Sequence, residues 1–543
     1  MYSVYDRALN EIGDDNKYQK RFDVIYHLIF MVFWAMAYMN IILALTITPH
    51  ECKIPEKPKN ISDIEWKIIN IPSKEDIKGE LKFDSCLIYA NSYKNNETKA
   101  CLEYTYDKTW FEKTVPSEYN WVCDKELYVA NIIAYSKIGE VVGSFFFGWF
   151  SDVYGRRYTY IISIITLFIG RSMTLVVGNS YVLFSIICLI GFLPSWTAPF
   201  TLSAICIEMS SSKRRVAIAR LRFISYSVGL VIMSLTYWWI RDWKIFIIVT
   251  TLPLLPFVIM SWKMIESPRW LYSQGRVKES LTILKKIAKV NNKNIEADTI
   301  RDILITKTVD KSQVFGVLKL FSTRRLALNV ISLLVICVFV SLSYTQLLLS
   351  SGEKTDGNPF LDFAWQATME IPSVFIGAWL VDRIGRRYTG MLSIGVTAFT
   401  WTSMVIRESS TGGWIRKWWV SSVFSMLARL STTVAFYLLN LLNMELYPTC
   451  LRQTGLALFT VINGLGSSVI PYVMFLGRRY DPRIPALILI VVSLTGVLAS
   501  FILPETLNAK LPETLEEAQY FGCKNKSYKL KELKPLRQDQ HNA

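Results

Sequence analysis

The chain has 543 residues, of which 51% are hydrophobic, and its mean hydropathy is positive. That is too much apolar material for an ordinary set of water-soluble domains. The formal charge of +16 does not point to nucleic acid, because the Lys and Arg residues sit mostly in short loops between long apolar runs.

Residues 1–21 form a polar, mixed-charge N-terminus. The run 22–48 then reads as a first spanning helix rather than a removable signal, because it is long enough to cross about 30 Å of hydrocarbon and lacks a small-residue cleavage site. Residues 49–126 are polar and carry four cysteines, Cys52, Cys86, Cys101 and Cys123. Two disulfides are expected, with three pairings open, and they require an oxidising compartment. Asn60 and Asn96 each begin an N-x-Ser/Thr sequon in the same segment, as expected of a glycosylated outer face.

Further helices are predicted at 127–150, 158–178, 181–207, 217–240 and 243–264. A basic, helix-prone linker follows over 265–325. Six more helices, at 326–349, 360–381, 388–406, 418–443, 454–476 and 485–503, precede a tail at 504–543. Arg156 and Arg157, Lys213 to Arg215, the linker, and Arg383, Arg386 and Arg387 fall on alternate loops. By the positive-inside rule these loops and both termini are cytoplasmic. Arg478, Arg479 and Arg483 fall on the opposite side and disagree.

The second half repeats the plan of the first. Asp152, Gly155, Arg156 and Arg157 end the second helix, and Asp382, Gly385, Arg386 and Arg387 end the eighth at the same internal spacing. Glu208 and Arg215 follow the fourth helix as Glu445 and Arg452 follow the tenth, and Glu266 and Glu505 close the sixth and twelfth. These landmarks recur in order at offsets of 230, 237 and 239 residues, which indicates a duplicated six-helix unit.

The string GWFSDVYGRR at 148–157 and its partner VDRIGRR at 381–387 resemble the loop signature of the major facilitator superfamily. ESPRWL at 266–271, ELYPTCLRQTG at 445–455 and LPETLNAKLPETLEEA at 503–518, with the cysteine-bearing loop, are similar to the organic cation, anion and zwitterion transporters of solute carrier family 22. The resemblance covers essentially the whole chain. It implies an all-α membrane protein of twelve transmembrane helices in two pseudo-symmetric six-helix bundles, capped by a disulfide-linked extracellular loop. It also implies alternating access in the plasma membrane, and a gating latch built from Asp152, Arg156, Arg157, Glu208, Arg215, Asp382, Arg383, Arg386, Arg387, Arg429, Glu445 and Arg452. The alternative for these arginines is anchorage to lipid headgroups. Val153 stands where the family usually has a basic residue, a position that Arg383 keeps in the second copy.

A charge inside a spanning helix should be paired, face water or act on a ligand. Lys137 and Glu140 are three apart on the second helix. They either neutralise each other or receive the carboxylate and the ammonium of a substrate. Glu370 and Arg429 match charged positions found throughout the resembled family, and either pair together or meet the substrate. Arg171 is read as snorkelling toward an interface. Aromatic faces hold organic cations, and family strings single out Trp34, Tyr38, Trp196, Tyr226 and Tyr344. At Gly464, cation carriers of the family tend to have Asp and anion or carnitine carriers Arg, so this chain carries neither sign marker.

No G-x-x-x-x-G-K-[ST] loop is present. The three histidines His27, His50 and His541 are not clustered in sequence and no Cys-x-x-Cys pair exists, so neither a metal nor a redox cofactor is expected. No catalytic residues are assigned and the chain is not read as an enzyme. The expected partners are a small organic cation or zwitterion, membrane lipid and a coupling ion the sequence does not name. The alternatives are an organic anion carrier and a non-transporting receptor or scaffold.

Overall fold

The computed structural model describes all residues except 1–3, 14–15, 55, 57, 59–60, 76–80, 91–97, 210–211, 306–316, 353–356, 411–413, 449–450 and 508–543. The sequons at Asn60 and Asn96, and the side chains of Arg215 and Arg452, lie outside the described residues. Among the described residues twelve long helices dominate: α1 Lys17–Ala44, α2 Leu127–Tyr154, α3 Arg156–Thr174, α4 Tyr181–Glu208, α5 Ala217–Ile240, α6 Trp243–Ser261, α7 Arg324–Gly352, α8 Pro359–Ile384, α9 Arg386–Ser409, α10 Trp418–Glu445, α11 Arg452–Arg479 and α12 Ile484–Ile502.

Among the described residues, nine of these helices are apolar and long enough to cross a membrane by composition alone. The other three, α2, α3 and α8, carry Lys137 and Glu140, Arg171, and Glu370 in their interiors. Burying those charges against neighbouring helices is what lets such segments sit at membrane depth. Helices suit that setting because each closes its own backbone hydrogen bonds.

Several helices are interrupted. Residues Asp23–Ile29 of α1 run as a π-helix. α4 breaks between Phe192 and Thr197, after Pro194, where Ser195 takes a φ of 37°. α6 passes through a 3₁₀ turn at Leu252–Leu254, which contains Pro253. Prolines 372 and 471 lie inside α8 and α11.

The boundaries correct the sequence reading at one place that matters. Arg156 and Arg157 open α3 rather than end α2, and Arg386 and Arg387 open α9 rather than end α8. The cause is Gly155 and Gly385, whose φ values of 103° and 92° turn the chain at once into the next helix, a conformation that side chains disfavour.

Within the first half, α1 packs on α5 and α6, and α4 on α2 and α3. Within the second, α9 packs on α10 and α12, and α7 on α10, α11 and α12. The halves meet along two extended seams, α2 against α11 and α5 against α8, and more sparsely where α1 meets α7. This is the two-bundle architecture of the duplicated sequence.

The described residues of the 49–126 segment form a cap at one end of the molecule. The cap holds three antiparallel strand pairs: β1 His50–Cys52 with β6 Tyr104–Tyr106, β2 Ser73–Glu75 with β3 Leu81–Phe83, and β4 Leu87–Tyr89 with β5 Thr98–Ala100. Disulfides join Cys52 to Cys101 and Cys86 to Cys123, which selects one of the three pairings the sequence left open.

The opposite, basic end gathers the N-terminal helix Val4–Ile12 and the linker helices Val277–Val290 and Ala297–Ile305. Asn291, just past Val277–Val290, ties that helix to the N-terminal segment, and Thr299 of the next helix donates to Glu11. The Asn291 amide donates to Ile12 O and Gln19 Oε1, and its Oδ1 accepts from the Tyr18 N–H at 3.0 Å.

Candidate functional site

Midway along α2, Lys137 and Glu140 form an ion pair at 3.0 Å with side chains 11% and 12% exposed. Tyr38 of α1 joins it, donating its hydroxyl to Glu140 Oε2 at 2.8 Å, while Lys137 Nζ reaches the same hydroxyl at 3.4 Å. The ammonium also lies 5.6 Å from the Tyr38 ring and 5.8 Å from that of Phe192, within cation–π range.

Of the aromatic residues singled out from sequence, Trp34, Tyr38 and Trp196 gather at this pair. Trp34 stacks on Tyr38 at 4.8 Å, Trp196 lies 4.8 Å from Trp34 and 6.0 Å from Tyr38, and Tyr226 lies 5.1 Å from Trp196. Trp34 and Tyr38 share a face because they are four apart on α1. Trp196 reaches them because it stands at the break in α4.

Tyr226 leads to a second charged group. Arg429 of α10 and Glu370 of α8 form an ion pair at 2.5 Å, with side chains 2% and 5% exposed. Tyr344 of α7 donates to Glu370 Oε1 at 3.0 Å, and its ring lies 4.0 Å below the Arg429 guanidinium. Ser227 of α5 donates to the other oxygen, Oε2, at 2.7 Å. Glu370 and Arg429 are thus paired with each other in this structure. Arg429 stands in mid-helix, remote from the latch with which the sequence reading grouped it.

Two expectations change. Arg171 does not snorkel: it is fully buried, donates to Ala37 O and Tyr38 O at 2.9 and 2.8 Å, and covers the Phe192 ring at 4.3 Å. Gly464 lies in the α2–α11 seam rather than on an open cavity wall. A Cβ placed there would run into Val141 Cγ2 and stand 3.7 Å from Lys137 O, so the missing side chain is what lets these helices close.

At the basic end the latch residues form two equivalent clusters, each inside one bundle. In the first, the Glu266 carboxylate accepts from the backbone N–H groups of Arg156 and Arg157 at 3.0 and 3.1 Å. The Arg156 side chain meets Asp152 at 3.0 Å and Glu208 at 3.7 Å. In the second, Glu505 accepts from Arg386 and Arg387 N–H at 2.9 and 3.1 Å, and the Arg386 side chain meets Glu445 at 2.9 Å and Asp382 at 3.9 Å.

Each carboxylate thus caps a helix N-terminus, where the dipole favours negative charge. Burial holds Glu266 above the usual carboxylate range, against the pull of the Ser267, Arg157 and Arg156 N–H bonds. Arg157 donates to Trp262 O, Arg387 covers the Phe501 ring at 4.3 Å and Arg383 that of Trp379 at 5.5 Å. Among the described residues, no ion pair links either cluster to the other bundle.

Between the bundles, contacts at the cap end came from residues the sequence reading did not select. Arg478 pairs with Glu126 across the α2–α11 seam. Tyr472 donates to Asn131 Oδ1 at 3.0 Å. Ser234 of α5 donates to Phe360 O of α8 at 2.7 Å, and Phe111 of the cap packs on Phe360 at 4.8 Å. The basic charge of Arg478, out of place by the loop rule, thus has a partner. The sequence signal for Ser227 and Ser234 was only that both are small polar residues in an apolar span.

The family model for sugar (and other) transporters matches residues 27–518. Curated relatives include an organic cation transporter protein of Drosophila melanogaster, 26% identical over 96% of this chain and 95% of the relative. Solute carrier family 22 member 21 of Mus musculus is 26% identical over 89% and 87%. A beta-alanine transporter of Drosophila melanogaster is 25% identical over 95% and 89%. The inward open xylose transporter XylE from E. coli superposes with a TM-score of 0.54 at 15% identity, covering 76% of this chain and 92% of that one, a likeness of fold.

Proposed function

The chain belongs to the sugar (and other) transporter family, and from that premise we propose that it carries a small zwitterion or organic cation across the plasma membrane by alternating access. The observation that carries this reading is the Lys137–Glu140 pair beneath the Trp34, Tyr38 and Trp196 rings. A substrate bearing both an ammonium and a carboxylate can replace each partner of that pair with its own opposite charge, so neither buried charge is left alone. The aromatic faces add attraction for the cationic group. A beta-alanine transporter and an organic cation transporter among the relatives agree with this class of cargo. Lys137 is held by Glu140, which disfavours a simple anion site.

The disulfide-linked cap suits an oxidising exterior, and the basic loops and both termini suit the cytoplasm. The Glu126–Arg478, Asn131–Tyr472 and Ser234–Phe360 contacts then seal the outer mouth, as in an inward-facing or occluded stage of the cycle. The buried Glu370–Arg429 pair acts as a midplane brace, and the two basic-end clusters keep each bundle rigid as it rocks.

The test is uptake of radiolabelled cations, zwitterions and anions by cells expressing the chain, with Glu140→Gln and Lys137→Gln beside the parent. Saturable zwitterion accumulation abolished by either substitution, with surface expression kept, is the expected result. Accumulation of anions alone, lost only in Lys137→Gln, overturns the assignment of cargo, and no uptake of any probe by surface-expressed protein overturns transport.

A further inference from the structure

A second polar cluster lies apart from the candidate substrate site, near the start of α1. Asp23 and His27 lie four apart in its π-helical segment, and Cys206 of α4 meets them. One donor atom from each lies within 4.8 Å of the other two. His27 Nδ1 is 3.3 Å from Asp23 Oδ1, and the Cys206 thiol donates to the same oxygen at 3.1 Å. His27 and Cys206 are buried.

The far side of the imidazole bears on its tautomer. Ser203 Oγ uses its only proton on Pro199 O at 2.8 Å and accepts from Arg222 at 3.1 Å. Toward His27 Nε2, 3.5 Å away, it can therefore only accept, so Nε2 carries hydrogen. Nδ1 makes no hydrogen bond. In the neutral ring it points a bare lone pair at a carboxylate oxygen, two acceptors face to face, which a cation between them would relieve.

We propose that Asp23, His27 and Cys206 bind a thiophilic divalent transition-metal ion, Zn²⁺ fitting best. Imidazole, thiolate and carboxylate form a borderline-soft donor set, and donors around a tetrahedral zinc stand about 3.3–3.6 Å apart. Ser203 orients the ring from behind through the nitrogen that does not bind, the usual outer-shell arrangement. Binding breaks the Cys206 S–H bond, forms a metal–sulfur bond and releases the proton to water, with Asp23 the adjacent base. Asp23 and the Cys206 thiolate supply two negative charges against the dication, which suits a buried position better than an unmatched ion. Asp23, 16% exposed, gives the way in from the basic end, and the fourth position is left for water. The site joins α1 to α4 inside one bundle, so it does not depend on the transport reading.

The experiment uses the full-length chain in detergent, stripped with chelator and titrated with Co²⁺ and then Zn²⁺. A thiolate-to-cobalt charge-transfer band saturating at about one equivalent per chain, displaced by Zn²⁺, is expected. Cys206→Ser should abolish the band and Ser203→Ala should weaken affinity by about 10- to 100-fold. Absence of the band in the parent, the result for a plain imidazolium–carboxylate pair, overturns the proposal. So does its persistence in a Cys206→Ser protein that elutes as the parent does. The parent titration decides even if that variant does not fold.

Discussion

Ser227 on α5 donates to Glu370 on α8 at 2.7 Å, a hydrogen bond that connects the two bundles at the buried ion pair with Arg429. Glu370 is thereby shared between three helices of one bundle and one of the other. Removing its charge leaves the Arg429 guanidinium buried beside a neutral group. Glu370→Gln is expected to destabilise the purified protein by about 3–5 kcal/mol. Ser227→Ala, which leaves the ion pair intact, should cost about 1 kcal/mol or less. Thermal unfolding of both variants followed by size-exclusion measures the difference; equal melting temperatures for Glu370→Gln and the parent would remove the brace from the account.

Gly464 and Val141 offer a compensation test. A side chain at 464 meets Val141 in the closed seam, and overpacking of this kind typically costs about 1–3 kcal/mol. Gly464→Val should therefore slow uptake by resisting closure of α2 on α11, and Val141→Ala should restore part of the rate in the double variant. No rescue would mean that the seam does not close as tightly during the cycle as it does here.

The Glu126–Arg478 pair closes the cap end, with side chains 15% and 26% exposed. Partly exposed surface pairs of this kind are worth about 0.2–1 kcal/mol. Arg478→Gln should then raise labelling of a Met474→Cys reporter by an impermeant thiol reagent by about 2- to 5-fold. The reporter and Arg478 line the same cavity. The swap Glu126→Arg with Arg478→Glu should bring labelling back down, and unchanged labelling throughout would show that the pair does not hold the mouth.

Glu266 should leave a pH signature. Burial raises its carboxyl above the ordinary range, so the folded protein holds that proton more tightly than the unfolded chain. The stabilising contribution is complete below the unfolded pKa and is lost as pH rises through the folded one. Melting temperature measured from acidic to neutral pH should fall more steeply in the parent than in Glu266→Gln. A parallel pair of curves would contradict the burial argument.

The helical spans, the duplication and the positions of most charged landmarks are readable in the chain itself. Apolar length and basic loops are local properties, and a repeat is a comparison of the chain with itself. The same reasoning located Lys137 and Glu140, because a charge in a span must be answered within one helical turn or across a bundle. Gly155 and Gly385 show the limit of this reading. Their motif was recognised, yet the helix boundary was misplaced, since a positive φ is a backbone fact that the letters only permit.

Tertiary structure decided what depends on packing between segments remote in sequence. The disulfide pairing, the burial of Arg171 against α1 carbonyls, the position of Gly464 in a seam, and the partner of Arg478 all belong to this class. So does the meeting of Asp23 and His27 with Cys206, 183 residues from Asp23, which no ligand spacing in the sequence announced. Hydrophobic pattern determines which residues leave water; which of them then touch is set by how whole helices stack, and that is a property of the folded chain alone.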